Sequence, residues 1–129
     1  MKKLFASGLL LVCFFSYTAL AMHTLFQAPT MNIEGTASSI VSKLDKSLLL
    51  TAVQKPKLLN IVTGYLRQKV ALQPLQQSNQ KAYTTKMNSI QNGLQSKLKP
   101  LFTLTQYTEF LGLKPKSFDE TDVLSQLYY

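Results

Sequence analysis

Two short stretches place a hydroxyl and a carboxamide at one fixed spacing. Thr51-Ala52-Val53-Gln54 and Thr103-Leu104-Thr105-Gln106 both read Thr-x-x-Gln, each after an apolar residue, Leu50 and Phe102. An apolar pair follows each at the same offset, Leu58-Leu59 and Phe110-Leu111. The chemistry open to this pattern is hydrogen bonding. A Thr hydroxyl accepts the backbone N–H three residues on, and the Gln carboxamide reaches back to the Thr N–H, which is a helix capping box. Each copy is therefore predicted to open a helix. Other reactive types are sparse or scattered. The chain has one His, His23, and one Cys, Cys13. No second His or placed base stands ready to activate a Ser or Thr. Glu34, Asp45 and Glu109 lie far apart, so no glycosidase-like pair is indicated. Met22, Met31 and Met87 form no metal-binding cluster, and the five glycines form no phosphate loop. The expectation is a protein without catalysis and without a cofactor.

The first 21 residues have the order of a secretory leader. Lys2 and Lys3 come first, an apolar stretch from Leu4 to Leu20 follows, and Ala19-Leu20-Ala21 supplies a small-x-small cleavage site. Cleavage after Ala21 predicts a periplasmic or secreted chain; an uncleaved leader would be a membrane anchor. Cys13 would leave with the leader, so no disulfide is expected and stability must come from packing. The remainder is long enough for one modest core. The formal net charge is +8, of which Lys2 and Lys3 supply two. From Lys43 to Lys99, ten Lys and Arg accompany one acid, Asp45. Such a chain favours acidic partners. Export argues against nucleic acid and for anionic lipid, surface polymer or unfolded protein.

Periodicity supplies the elements. Residues 22–36, with Pro29 and Gly35, read as a flexible lead-in to one helical domain over 37–129. A first helix is predicted from Ala37 to Leu48, with Ile40, Val41, Leu44 and Leu48 on one face. The first capping box opens a second helix carrying Leu58, Ile61, Val62, Tyr65, Leu66 and Val70. Pro56 either interrupts its start or begins it. Gln73-Pro74 is predicted to end it, leaving Leu75 to Asn79 as a turn. Tyr83, Met87, Ile90, Leu94 and Leu98 mark a third helix, which Pro100 would break. The second capping box opens a fourth, with Phe102 and Tyr107 as a hydrophobic staple and Gly112 as its stop. Asp119, Glu120 and Asp122 suit the start of a last helical turn. The predicted fold is all-α, a long helical hairpin with shorter flanking helices after a cleaved signal peptide.

Paired L-T-x-x-Q motifs in a small, basic, exported helical chain resemble the Spy/CpxP family of periplasmic stress proteins. The residues that carry the resemblance are Leu50, Thr51 and Gln54, then Phe102, Thr103 and Gln106, the second copy with Phe in place of Leu. The likeness spans roughly residues 37–112. It implies a thin, curved helical dimer that acts as an ATP-independent chaperone or envelope-stress regulator. It also implies binding of unfolded or partner proteins on a basic, partly apolar surface. The candidate binding residues are Lys55, Lys57, Arg67, Lys69, Lys86 and Lys97. Two other readings compete. One is an adaptor docking on a single envelope partner; the other is weak contact with an anionic membrane surface through the lysine-flanked third helix.

Overall fold

The structure, a computed structural model, describes residues 31–129. The leader over 1–21 and most of the expected lead-in lie outside the described residues. What is described is all-α, in the order α1 (Ile33–Leu48), α2 (Gln54–Ser78), α3 (Gln80–Leu101), α4 (Leu104–Gly112) and α5 (Ser125–Tyr128). The long pair α2 and α3 forms the expected antiparallel hairpin. α1 and α5 pack on α2, and α4 packs on α1 and α3.

α1 begins earlier than predicted. Asn32 caps it, its carboxamide accepting the Gly35 N–H at 3.0 Å, so residues 33–36 are helix and not lead-in. Ala37, Ile40, Leu44 and Leu48 are its buried face. It stops at Leu49, which adopts a left-handed conformation (φ 51°, ψ 60°). A side chain there costs about 1–2 kcal/mol. Asp45 holds the turn, its backbone carbonyl accepting the Leu49 N–H at 2.9 Å and its carboxylate the Leu50 N–H at 3.1 Å.

The prolines do less than their local preference predicts. Pro56 lies in the first turn of α2, just beyond the capping box. Lys55 still donates to the Thr51 carbonyl at 3.2 Å, and the one bond lost to Pro56 is Ala52's, at an exposed turn. Both alternatives for Pro56 thus hold in part. Pro74 does not end α2, which runs on to Ser78. Its missing donor falls in the last two turns, and the Ser78 hydroxyl donates to the Pro74 carbonyl at 2.9 Å. The expected turn shrinks to one residue, Asn79. Its N–H closes α2 on the Leu75 carbonyl at 2.8 Å, and its carboxamide opens α3 by accepting the Ala82 N–H at 3.0 Å. Pro100 likewise sits inside α3, which ends at Leu101 with Phe102 as its extended cap.

One core joins α1, the near halves of α2 and α3, α4 and the C-terminal segment. Leu58, Val62, Tyr65 and Leu66 of α2 meet Leu94 and Leu98 of α3, Phe102, Phe110, Leu124 and Leu127. Full burial of one such leucine stabilises the fold by roughly 1.5–3 kcal/mol. Beyond Leu66 on α2, and before Met87 on α3, no residue is fully buried. The hairpin tip therefore projects past the core. Phe102 and Tyr107, the expected staple pair, both pack on the Phe110 ring, at centroid distances of 5.7 and 6.1 Å. Gly112 is the last residue of α4 and Leu113 caps it in right-handed geometry, so no left-handed glycine stop is used.

Candidate binding surface

The two Thr-x-x-Gln segments make the same reciprocal pair of bonds: Thr103 is the N-cap of α4, whereas Thr51 closes a turn just ahead of α2, whose N-cap position is Val53 and not Thr51 as expected. The Thr51 hydroxyl accepts the Gln54 N–H at 3.2 Å while the Gln54 carboxamide oxygen accepts the Thr51 N–H at 3.0 Å. Thr103 and Gln106 repeat both bonds at the same distances. Each glutamine then has an amide NH2 left over, and the two segments use these on each other. Gln54 Nε2 donates to Gln106 Oε1 at 2.8 Å and to the Leu101 carbonyl at 2.9 Å. Gln106 Nε2 donates to Gln54 Oε1 and to the Leu48 carbonyl, both at 3.2 Å. The clasp is reciprocal: each glutamine caps its own helix and closes the carbonyl end of the helix before the other motif. Unpaired amides buried here would cost about 1–3 kcal/mol each, so mutual satisfaction holds the four helix ends together. Leu50 and Phe102 are buried beneath it.

The six candidate basic residues do not form one cluster. Lys55 pairs with Asp45 at 2.7 Å, and Arg67 with Glu34 at 2.9 Å, where the guanidinium hydrogen bond lowers the Glu34 pKa. Lys69 is partly buried and its ammonium donates to the Gln126 carbonyl at 3.0 Å; burial lowers its pKa. These three serve the fold. Lys57, Lys86 and Lys97 are exposed and make no salt bridge among the described residues.

These three line one continuous groove along the seam between α2 and α3. At its first end lie Lys57, Asn60, Ile61, Lys97, Pro100 and Leu101. Ile61 and Lys97 continue into a middle stretch with Tyr65, Gln68, Ser89, Ile90 and Gly93. Gln68, Ser89 and Ile90 lead on to Ala71, Leu72 and Lys86. The first end holds about 430 Å³, the middle about 110 Å³ and the far end about 230 Å³, strung out along the seam and open to solvent instead of gathered into one enclosed site. The groove suits a segment of chain laid along it better than a compact ligand. Neither α2 nor α3 contains an Asp or Glu, so no acid on the hairpin offsets its lysines. Lys86 and Lys97 stand about 16 Å apart along α3 by helical rise.

Comparison with protein families, curated proteins and solved structures gives no match. The likeness to Spy/CpxP proteins rests on the motif residues alone. Among the described residues, no group of three His, Cys, Asp or Glu is placed to hold a metal, and no helix is long and apolar enough to cross a membrane. The apolar stripe of α3 is turned inward, Met87, Leu94 and Leu98 being buried. Ile90 and Leu101 of the same helix are half-buried and border the seam groove. The mutual clasp of the motifs escaped sequence reasoning. Its signal was the spare NH2 of each glutamine beside a second, matching copy.

Proposed function

We propose that this protein is an exported, non-catalytic binding protein of the Spy/CpxP kind, holding unfolded or partially folded proteins along the α2–α3 seam. One observation carries the reading: a groove floored by Ile61, Ile90 and Leu72, bordered by Lys57, Lys86 and Lys97, on a hairpin without a carboxylate. Uncompensated lysines raise the local concentration of acidic segments. The apolar floor then gives weak, non-directional contact, as a holding protein with varied clients requires. The groove is open and shallow, so release needs no nucleotide-driven step.

The test is light scattering from an aggregating, acidic model client. The wild-type chain should suppress scattering at low salt and lose much of that effect as salt screens the lysines. Lys86→Glu combined with Lys97→Glu should weaken suppression several-fold while leaving the helical circular dichroism unchanged. Absence of suppression at a several-fold excess of protein, or full activity in the double variant, would rule the reading out.

A further inference from the structure

We infer that the clasped end of the molecule is a docking surface for an anionic lipid bilayer, adjoining the seam groove at Lys57 and facing off the end of the hairpin. The ends of α1 and α3 and the starts of α2 and α4 meet there. Three large apolar side chains point into solvent within two residues of the clasp: Leu49 at 81% exposure, Val53 at 64% and Leu104 at 84%. None contributes to the core. Leu49 also occupies a left-handed backbone position, where glycine or asparagine would relieve strain and remove the exposed apolar surface together. Folding thus gains nothing from leucine at this position, and an exposed leucine on a strained turn points to a contact outside the fold.

The surrounding charge selects the occupant. Lys46 in the last turn of α1, Lys55 and Lys57 in the first turn of α2 and Lys99 in the last turn of α3 lie at the same end. Asp45 is the one acid in these turns, and it is taken by Lys55 and the Leu50 N–H. Lys46, Lys57 and Lys99 are exposed and make no salt bridge among the described residues. Exposed aliphatic tips within a ring of ammonium groups fit a surface that is apolar a few ångströms down and anionic on top, as a bilayer with acidic headgroups is. The short apolar reach of three side chains on turns allows shallow, reversible insertion and no spanning.

The exported chain, leader removed, is floated with phosphatidylcholine vesicles with and without phosphatidylglycerol. It should float with the anionic vesicles only, and less as salt rises. Leu49→Asn, Val53→Ser and Leu104→Ser together should reduce binding at least about tenfold with the thermal melt preserved, because all three side chains lie outside the core. Each of Lys46→Gln and Lys99→Gln should reduce it about fivefold. The chain has no tryptophan, so Leu104→Trp supplies a single reporter whose emission should shift to the blue on anionic vesicles. Equal flotation of wild type and triple variant, or no blue shift, overturns the proposal. So does loss of a cross-linked protein partner in the triple variant without any vesicle binding by the wild type. Suppression of client aggregation should survive the triple variant, and vesicle binding should survive Lys86→Glu, so either proposal can fail alone.

Discussion

At the scale of single residues, the clasp turns two local caps into one long-range contact. Gln54 and Gln106 lie 52 positions apart, yet each completes the other's hydrogen bonding. Loss of one partner leaves the other glutamine and a helix-end carbonyl unsatisfied; loss of both removes the mutual debt. Gln54→Ala and Gln106→Ala should each destabilise the fold by about 1–3 kcal/mol. The double variant should fall short of their sum by about 0.5 kcal/mol or more, since residues in one hydrogen-bond network couple. Urea denaturation of the four proteins gives the cycle. Strict additivity would mean that each glutamine acts only as its own helix cap.

At the scale of elements, α3 carries a removable weakness. Gly93 lies mid-helix, and a Cβ built there meets nothing within 4 Å. Gly93→Ala should stabilise the protein by up to about 1 kcal/mol, read as a higher denaturation midpoint with an unchanged slope. An unchanged or lower midpoint would mean that the seam at Gly93 needs its backbone bare. The helices themselves were largely legible in the sequence. The stripe Tyr83, Met87, Ile90, Leu94, Leu98 marks α3, and its inward side is the one buried. The same spacing recurs in α1 as Ile33, Ala37, Ile40, Leu44, Leu48, and Leu58 and Phe110 each lie seven residues past a motif Thr. The chain thus repeats one helix–motif–helix unit, which explains why two copies can clasp. Boundaries at Pro74 and Pro100 were not legible. A proline's local penalty is visible in sequence, whereas helix neighbours that keep the chain helical around it are not. Nor could sequence separate lysines that serve the fold from those that face solvent. That depends on where Glu34, Asp45 and Gln126 arrive from distant segments.

At the scale of the whole molecule, charge is segregated. Every carboxylate side chain lies on α1, α4 or the C-terminal segment, and the hairpin has none. The C-terminal segment uses its acids to bind back. Asp122 accepts from the Lys43 ammonium at 2.8 Å and from the Leu124 N–H at 2.9 Å, and these bonds lower its pKa. Asp119 is lowered by the Thr121 hydroxyl and N–H. The segment also seats Leu124 and Leu127 in the core, and the Tyr128 hydroxyl donates to the Phe110 carbonyl. A carboxylate whose folded pKa lies below its unfolded value stabilises the docked state fully above the unfolded value. That support is lost as pH falls through the folded one. Loss of the pair in acid follows protonation of the Asp122 carboxylate. Lys69 has the same sign in a more alkaline range: burial lowers its pKa, and that penalty on its charge is relieved only as pH rises, so it takes no part in the acid response. Below about pH 4, amide hydrogen exchange over residues 119–129 should therefore quicken before exchange in α2 and α3. Asp122→Asn should quicken it already at neutral pH and flatten its dependence on acid. Exchange that quickens uniformly along the chain would show that the C-terminal segment opens only with the whole fold, its apolar anchors outweighing the Lys43–Asp122 pair.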